Sequence, residues 1–441
     1  MEKYLGRIGW LGGEQVLRIL AGLFFVTIAA RYLGPAGFGA LTYVVTVAAL
    51  ASQVVRYGQD NLIIKNVVTR QDETSSAVAT AFLIRLALAV IASAAAVTFL
   101  LIVSPPAEIG PVMLAGACMI ILAVPLESHF AASKAFELFR QLAIGRSIVV
   151  VGAAAATLAL VVFRFGVEAF VILRGAEALL YGAVSLIIFM LLVKPRGRVQ
   201  LRPAMFARMV RAGFPMMLSQ LAVLAYLTID QIMLGLMAGS EELGLYGVAV
   251  RIAMLGAFLP QLLQTTTYPT LVRRQSDGGG VEDVLPRYFD YFGAAGWLLT
   301  IGTGLGAGLF LVPLFGPDYA SALPVCLVLL LSLPLFALTT AYKACLSARG
   351  DLWSMTMISG AAACTNVILN LALIPAFGGM GAAIATIAAL LVASIVSAAL
   401  RRSDRPLARM MLRSLEPAGT VSRTARQVWP IVMTRLGRAA P

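Results

Sequence analysis

Apolar residues in this chain run on for a whole membrane's width at a time, and the breaks between the runs carry nearly all the charge. A hydrocarbon layer ~30 Å thick needs ~20 apolar residues per helical crossing. The runs predict spanning helices over Trp10–Ala30, Ala40–Tyr57, Ala77–Val103, Ile109–Glu127, Ala143–Phe163 and Val167–Val193. A second set is predicted over Gly213–Ala238, Leu243–Tyr268, Phe289–Leu314, Ala322–Ala341, Leu352–Pro375 and Gly379–Leu400. The eighth run is the least uniform, because Arg251, Gln261, Gln264 and Thr265–Thr267 interrupt it. The expected fold is all-α: a polytopic membrane protein of twelve helices.

Composition strengthens this picture. Of 441 residues, 60% are apolar and 12% charged, and mean hydropathy is +0.90. A soluble protein of this size needs a more charged surface. The net charge of +13 points at first to nucleic acid, but its placement explains it better. With twelve helices both termini share a side, and the termini and even-numbered connections hold 28 of the 34 Lys and Arg residues. The odd-numbered connections hold only Arg31 and Arg164. Basic loops stay cytoplasmic, so both termini are expected there.

The sixth connection, with Lys194, Arg196, Arg198, Arg202, Arg208 and Arg211, divides the chain. The expected parts are a six-helix lobe (1–193), a basic linker (194–211), a second six-helix lobe (212–400) and a basic tail (401–441). A faint repeat supports the division: Phe38-Gly39-Ala40-Leu41-Thr42-Tyr43 against Leu243-Gly244-Leu245-Tyr246, with a one-residue gap. Two such lobes would be related by an axis along the membrane normal. The tail carries nine arginines against Asp404 and Glu416. It reads as a solvated extension, or as an interfacial segment dipping Met410, Met411, Leu412 and Leu415 into anionic lipid.

Cys118, Cys326, Cys345 and Cys364 lie in or beside apolar runs, and His129 has no ligand-like neighbours, so no metal, cofactor or disulfide framework is expected. The first run is long enough to span, which argues against a cleavable signal peptide. External connections of about six to nine residues are too short for a catalytic domain. No GxxxxGK[ST] is present. The chain is not expected to be an enzyme.

Ionisable groups inside a span are costly in hydrocarbon and normally face a cavity or a partner. By helical rise, Arg18 and Arg85 lie roughly 12 Å from the cytoplasmic helix ends, and Arg174 and Arg251 roughly 10–12 Å from the external ends. Glu14 and Arg18 share one face, continued by Ala21 and Gly22; Arg174 and Glu177 are three apart. Each is a candidate for a substrate cavity or for an ion pair that fixes packing. Arg85 can also snorkel to headgroups. Glu14, Asp230 and Glu177 are candidate ion-coupling groups, because burial disfavours a charged carboxylate and lets it exchange a proton. Gln15, Gln220, Gln261, Gln264, Asn366 and Asn370 add intramembrane amides. The Asn pair serves equally well as a hydrogen bond between helices.

Several motifs carry a family likeness. They are Trp10-Leu11 through Arg18-Ile19-Leu20, then Ala30-Arg31-Tyr32-Leu33-Gly34-Pro35 and Gly37-Phe38-Gly39-Ala40-Leu41-Thr42-Tyr43. Further on come Ile229-Asp230-Gln231-Ile232-Met233-Leu234-Gly235, Leu243-Gly244-Leu245-Tyr246, and Asn366–Pro375 with Gly381-Ala382-Ala383. Together they resemble the Wzx-type polysaccharide flippases of the multidrug/oligosaccharidyl-lipid/polysaccharide exporter (MOP) superfamily. The resemblance implies a MATE/MOP-like fold of two pseudo-symmetric lobes in a bacterial inner membrane. It implies a cargo of undecaprenyl pyrophosphate bearing an oligosaccharide, moved by alternating access through a cavity lined mainly by helices one, two, seven and eight. Arg18, Arg85, Arg174 and Arg251 would bind the pyrophosphate in forked geometry, and Gln261 and Gln264 the sugars. Implied partners are membrane lipids, H⁺ or Na⁺ as coupling ion, and polysaccharide polymerase and chain-length proteins, with no nucleic acid. A MATE-type cation antiporter and a lipid II flippase are the alternatives. Intramembrane arginines outnumber carboxylates four to three, which leans toward an anionic cargo.

Overall fold

The computed structural model describes residues 2–69, 73–103, 109–193, 199–276 and 283–435. In chain order its helices are α1 (Glu2–Arg56), α2 (Asp60–Thr69), α3 (Thr74–Ile102), α4 (Pro111–Ala123), α5 (Glu127–Ala135), α6 (Phe139–Val162), α7 (Val167–Ile188), α8 (Pro203–Met237) and α9 (Ser240–Gly256). Then follow α10 (Phe258–Ser276), α11 (Leu285–Phe315), α12 (Ala322–Leu330), α13 (Ser332–Ala348), α14 (Leu352–Leu391), α15 (Ser397–Leu400), α16 (Arg405–Ser414) and α17 (Pro417–Arg435). Ten stretches among the described residues are long and apolar enough to cross a membrane. The chain is a multi-pass helical membrane protein.

Two of the ten, Gly12–Thr69 and Trp353–Leu400, each contain two of the predicted spans. Their joints are glycines. Gly34 takes φ 68° in front of Pro35, and Gly378 takes φ 52°. A β-carbon on Gly381 would lie 2.5 Å from the Leu373 carbonyl oxygen. A straight helix would hold residues eight apart at ~12 Å, so the chain doubles back at Gly378.

Prolines break other spans at a fixed distance. Pro260 and Pro334 each lack an N–H and crowd the carbonyl four residues earlier, and α9 stops at Gly256 and α12 at Leu330. Pro125 sits in a tightened turn (Val124–Leu126) between α4 and α5. Tyr57 and Gly58, at φ 52° and 62°, turn the chain between α1 and α2.

Several predicted ends need correction. The fourth span runs to Ala135, not Glu127, and the fifth begins at Phe139. The second ends within a residue of the expected Tyr57, at Arg56, and α2 follows as a separate helix after the turn. The seventh begins at Pro203, with Pro at the first helical turn, so Arg208 and Arg211 of the expected linker are already helical. Lys194, Arg196 and Arg198 lie outside the described residues. The extensions share a purpose in packing: Ile63, Val67, Ala77, Val78, Ala81, Ala131, Ala132, Phe189, Met205 and Met209 form one buried apolar cluster.

By packing, the chain divides into two compact units, 1–247 and 248–441. In the first, α1 packs on α3, α4, α6, α7 and α8. In the second, α11 packs on α13, and α14 on α12 and α13.

The tail also differs from expectation. Its described part is not an extension but two helices, α16 and α17, docked on α11. Met411 is fully buried against the protein instead of in lipid, and Leu407 and Ala408 join it. Buried Asp290 accepts from Ser414 Oγ at 3.0 Å and from both Nε and Nη2 of Arg423 at 3.1 Å. Asp404, also fully buried, accepts from Tyr342 and Arg349 at 2.8 Å and from Arg401 at 3.2 Å. Arg438 lies outside the described residues. With the Ser403 hydroxyl at 3.2 Å this buried carboxylate has four donors, and Asp404→Ala is expected to cost roughly 3 kcal/mol, because the donors lose their shared acceptor. Differential scanning fluorimetry in detergent checks this; an unchanged melting point would contradict the anchoring role.

Beside that network, Asp351 caps α14 by accepting from Ser354 N at 3.2 Å, and pairs with Arg401 at 2.6 Å. The Arg401 hydrogen bond, helped by Ser354, pushes its carboxyl down from 3.8 to about 2. A depressed carboxylate stabilises the fold above its ordinary value, and that contribution fades as pH falls through about 2.

Candidate functional site

Small residues bring α4 and α7 unusually close. A β-carbon on Gly116 would come within 2.7 Å of Val171, one on Gly175 within 2.7 Å of Met119, and one on Gly182 within 2.6 Å of Leu126. Close contact of this kind is the usual basis of helix association in lipid. Here it also aligns the polar side chains of α7 with the α4–α5 joint. Those side chains, with the two segments of α1 on either side of Gly34, line a cavity of about 310 Å³.

Arg18, Ser52 and Arg56 line it from α1, Glu127 from α5, and Arg174, Glu177 and Tyr181 from α7. Arg56 forks onto Glu127, its Nε and Nη2 each 2.9 Å from a carboxylate oxygen. Arg174 pairs with Glu177 one turn away and lies over the Phe25 ring at 4.9 Å. Neither pair is sealed: 36% of the Arg56 side chain and 34% of Arg174 stay accessible. Arg18 donates to the neutral amide of Gln15, and no carboxylate pairs with it among the described residues. Three guanidiniums therefore face two carboxylates.

Behind the cavity wall lies a fourth guanidinium. Arg146 is buried between the rings of Phe130, 3.2 Å from its centroid, and Tyr181, 4.1 Å away, and donates to Ser185 at 3.1 Å. Stacked aromatic faces satisfy a guanidinium electrostatically where hydrocarbon cannot. The Tyr181 hydroxyl donates to Glu14, and Lys134 sits 4.0 Å over the other ring contact, Phe130. The site is thus a positive pocket whose carboxylates are all engaged, and Arg18 is its open donor. Such a pocket can hold an anionic group, with forked geometry suited to phosphate oxygens.

Of the predicted residues, Arg18, Arg174 and Glu177 meet in this cavity, and Glu14 adjoins it through Tyr181. Arg85 does not line it. Its side chain is fully buried and turned to Asp60 at 2.6 Å, not out to headgroups, while its Nε and Nη1 find no partner among the described residues. Asp230 is buried where α8 meets α9, accepting from the Tyr246 hydroxyl and from Gln231 N. Gln220 bonds Gln53 at 2.7 Å, and Asn370 bonds Asn366 at 2.9 Å on one face of α14. Arg251 and Gln261 are exposed and Gln264 half-buried, all in the second unit, and they are not among the residues lining this cavity.

Sequence reasoning missed Arg56, Glu127, Arg146 and Tyr181. The first three sit within a few residues of a predicted helix end, where a charged residue is ordinary and marks no site. The available signal was the run of helix-compatible residues beyond each apolar stretch.

Residues 5–275 match the family model described as "Polysaccharide biosynthesis protein". The chain is 33% identical over 187 residues to the "Probable flippase AglR" of Haloferax volcanii. That alignment covers 41% of this chain and 39% of the relative, so the chain spans about two fifths of that protein's length. Among solved structures, the lipid II flippase MurJ in an inward closed conformation superposes with a TM-score of 0.70 over 96% of this chain and 92% of that one, at 13% identity. An inward-facing multidrug resistance MATE transporter of the MOP superfamily gives 0.65 over 90% and 95%, at 16% identity. A MOP superfamily transporter from Pyrococcus furiosus gives 0.57 over 92% and 96%, at 16% identity. At these identities the likeness is one of fold.

Proposed function

Since the chain belongs to the polysaccharide biosynthesis protein family, we propose that it is a flippase for a lipid-linked oligosaccharide. The cargo is an undecaprenyl pyrophosphate bearing sugars, moved from the cytoplasmic to the opposite leaflet of a bacterial inner membrane. The observation that carries this is the cavity of Arg18, Arg56 and Arg174, three guanidiniums against two carboxylates inside a membrane span. A diphosphate entering hydrocarbon needs such a counter-charge, because an unpaired ion there is costly. Cationic drugs would favour the opposite balance.

The head group meets Arg18 first, which has no carboxylate to displace among the described residues. Arg56 and Arg174 then exchange part of their bonding from Glu127 and Glu177 to phosphate oxygens. The released carboxylates, with Glu14 and Asp230, supply the coupling-ion sites. Residues 1–193 and 212–400 act as the two halves of an alternating-access cycle with twelve crossings, each half of the Gly34 and Gly378 hairpins counting as one. Arg251, Gln261 and Gln264 serve the later part of the route.

Deleting the protein tests the reading. Lipid-linked oligosaccharide is expected to accumulate in the cytoplasmic leaflet, protected from an impermeant glycan-oxidising reagent added outside the membrane. Accumulation in the outer leaflet would place the protein after translocation and overturn the proposal.

A further inference from the structure

We propose that the apolar groove between α1 and α6 seats the first isoprene units of the lipid carrier while its diphosphate occupies the cationic cavity. The inference rests on the flippase reading above and adds the place of the hydrocarbon chain.

The groove encloses about 600 Å³ and is lined by Trp10, Gly13, Glu14, Ile144, Ser147 and Ile148, with Val151 at its end. Its apolar residues stand open: Trp10, whose ring lies 5.6 Å under the Arg140 guanidinium, is 44% exposed, Ile148 68% and Val151 56%. Ile148 and Val151 belong to a span, so hydrocarbon is what they face, while Trp10 stands just ahead of the first span. Gly13 has open space where a side chain would stand, which keeps the floor clear beside α1.

Continuity with the cavity identifies the occupant. Glu14 forms part of the groove, Tyr181 forms part of the cavity, and the Tyr181 hydroxyl donates to the Glu14 carboxylate. One hydrogen bond separates the two compartments. The charges then sort an amphiphile placed across them. The carboxylate of Glu14 repels an anionic head from the groove, and the guanidiniums of Arg18, Arg56 and Arg174 attract it to the cavity. A single hydrocarbon chain joined directly to a diphosphate satisfies both sides at once.

Lipid tails are as apolar as the groove, so moving a chain from one to the other gains little hydrophobic free energy. The groove fixes the register of the chain and so the depth of the head; its effect on affinity is modest. The test uses the full protein in phosphatidylcholine nanodiscs, with undecaprenyl pyrophosphate and inorganic pyrophosphate as probes. Ile148→Trp and Val151→Trp fill the groove at exposed positions. Wild type is expected to bind both probes, the prenyl form more tightly. Each variant is expected to weaken the prenyl form by about threefold with inorganic pyrophosphate unchanged, which also certifies folding. Unchanged prenyl affinity in both variants would overturn the groove assignment and leave the flippase reading standing. Failure of wild type to bind either probe would overturn the diphosphate reading itself, and the groove assignment with it.

Discussion

Arg18→Ala is expected to reduce translocation of a prenyl-diphosphate-linked sugar by one to two orders of magnitude, with protein abundance unchanged. The size follows from the chemistry. A hydrogen bond to a charged group is worth about 1.5–3 kcal/mol, or roughly 10- to 150-fold in affinity. Arg18 is the cavity cation without a carboxylate partner among the described residues, so its removal leaves no buried charge stranded. Stability should therefore change little while the head-group site loses its open donor. Arg18→Lys is expected to recover only part of the activity, since an ammonium cannot fork onto two oxygens. Arg56→Ala would be a poorer probe, because it also strands Glu127. Flipping rates in proteoliposomes, normalised to reconstituted protein, read the effect. Wild-type rates from Arg18→Ala would remove this cavity from the route.

Gly39→Val is expected to have the largest structural effect of any conservative change in the chain. A β-carbon at Gly39 would lie 1.7 Å from the Ser240 carbonyl oxygen and 2.9 Å from Gly244 N; one at Gly244 would lie 1.9 Å from the Pro35 oxygen. Both obstacles are backbone, so no rotamer change relieves them. Overpacking against movable side chains costs about 1–3 kcal/mol, and a collision with backbone exceeds that. The contact joins the Gly39 and Gly244 motifs, and each glycine meets the residue that stands four before the other: Ser240 for Gly39 and Pro35 for Gly244. Around it, a β-carbon on Gly235 would press to 2.6 Å of the Tyr43 ring, Thr46 bonds Gln231 at 3.3 Å, and Tyr246 bonds Asp230. Gly39→Val and Gly244→Val should both lose monodisperse protein in fluorescence-detected gel filtration. Gly152→Val, where a β-carbon meets nothing within 4 Å, should behave as wild type. Equal behaviour of all three would contradict the close packing.

The sequence exposed some of this directly. An arginine in the middle of an apolar run has no reason to be there unless something receives it, and Arg18 and Arg174 do converge on one cavity. Gly34-Pro35 was readable as a helix joint because only glycine takes that φ without strain. Arg56, Glu127 and Arg146 were not readable as site residues, since hydropathy falls where polarity begins while backbone hydrogen bonding continues. The helices outrun their apolar stretches by up to ten residues, as α8 does in starting at Pro203 instead of Gly213. The tail failed for another reason. An amphipathic stretch such as Arg405–Ser414 announces that one face needs apolar cover, and says nothing of what provides it. Partners far off in the chain decide that: here α11 supplies the cover, and Asp290 and Tyr342 hold the neighbouring Ser414 and Asp404. Arg85 shows the same limit: depth alone could not tell an inward turn to Asp60 from an outward reach.

Everything in the functional account depends on the sign of the charge that this molecule accepts inside the bilayer. The direct measurement is leaflet transfer in proteoliposomes, comparing a fluorescent prenyl diphosphate sugar with a lipophilic cation of similar size. The account predicts movement of the diphosphate alone, slowed by added undecaprenyl pyrophosphate. Transfer of the cation with the diphosphate left in place would contradict it outright.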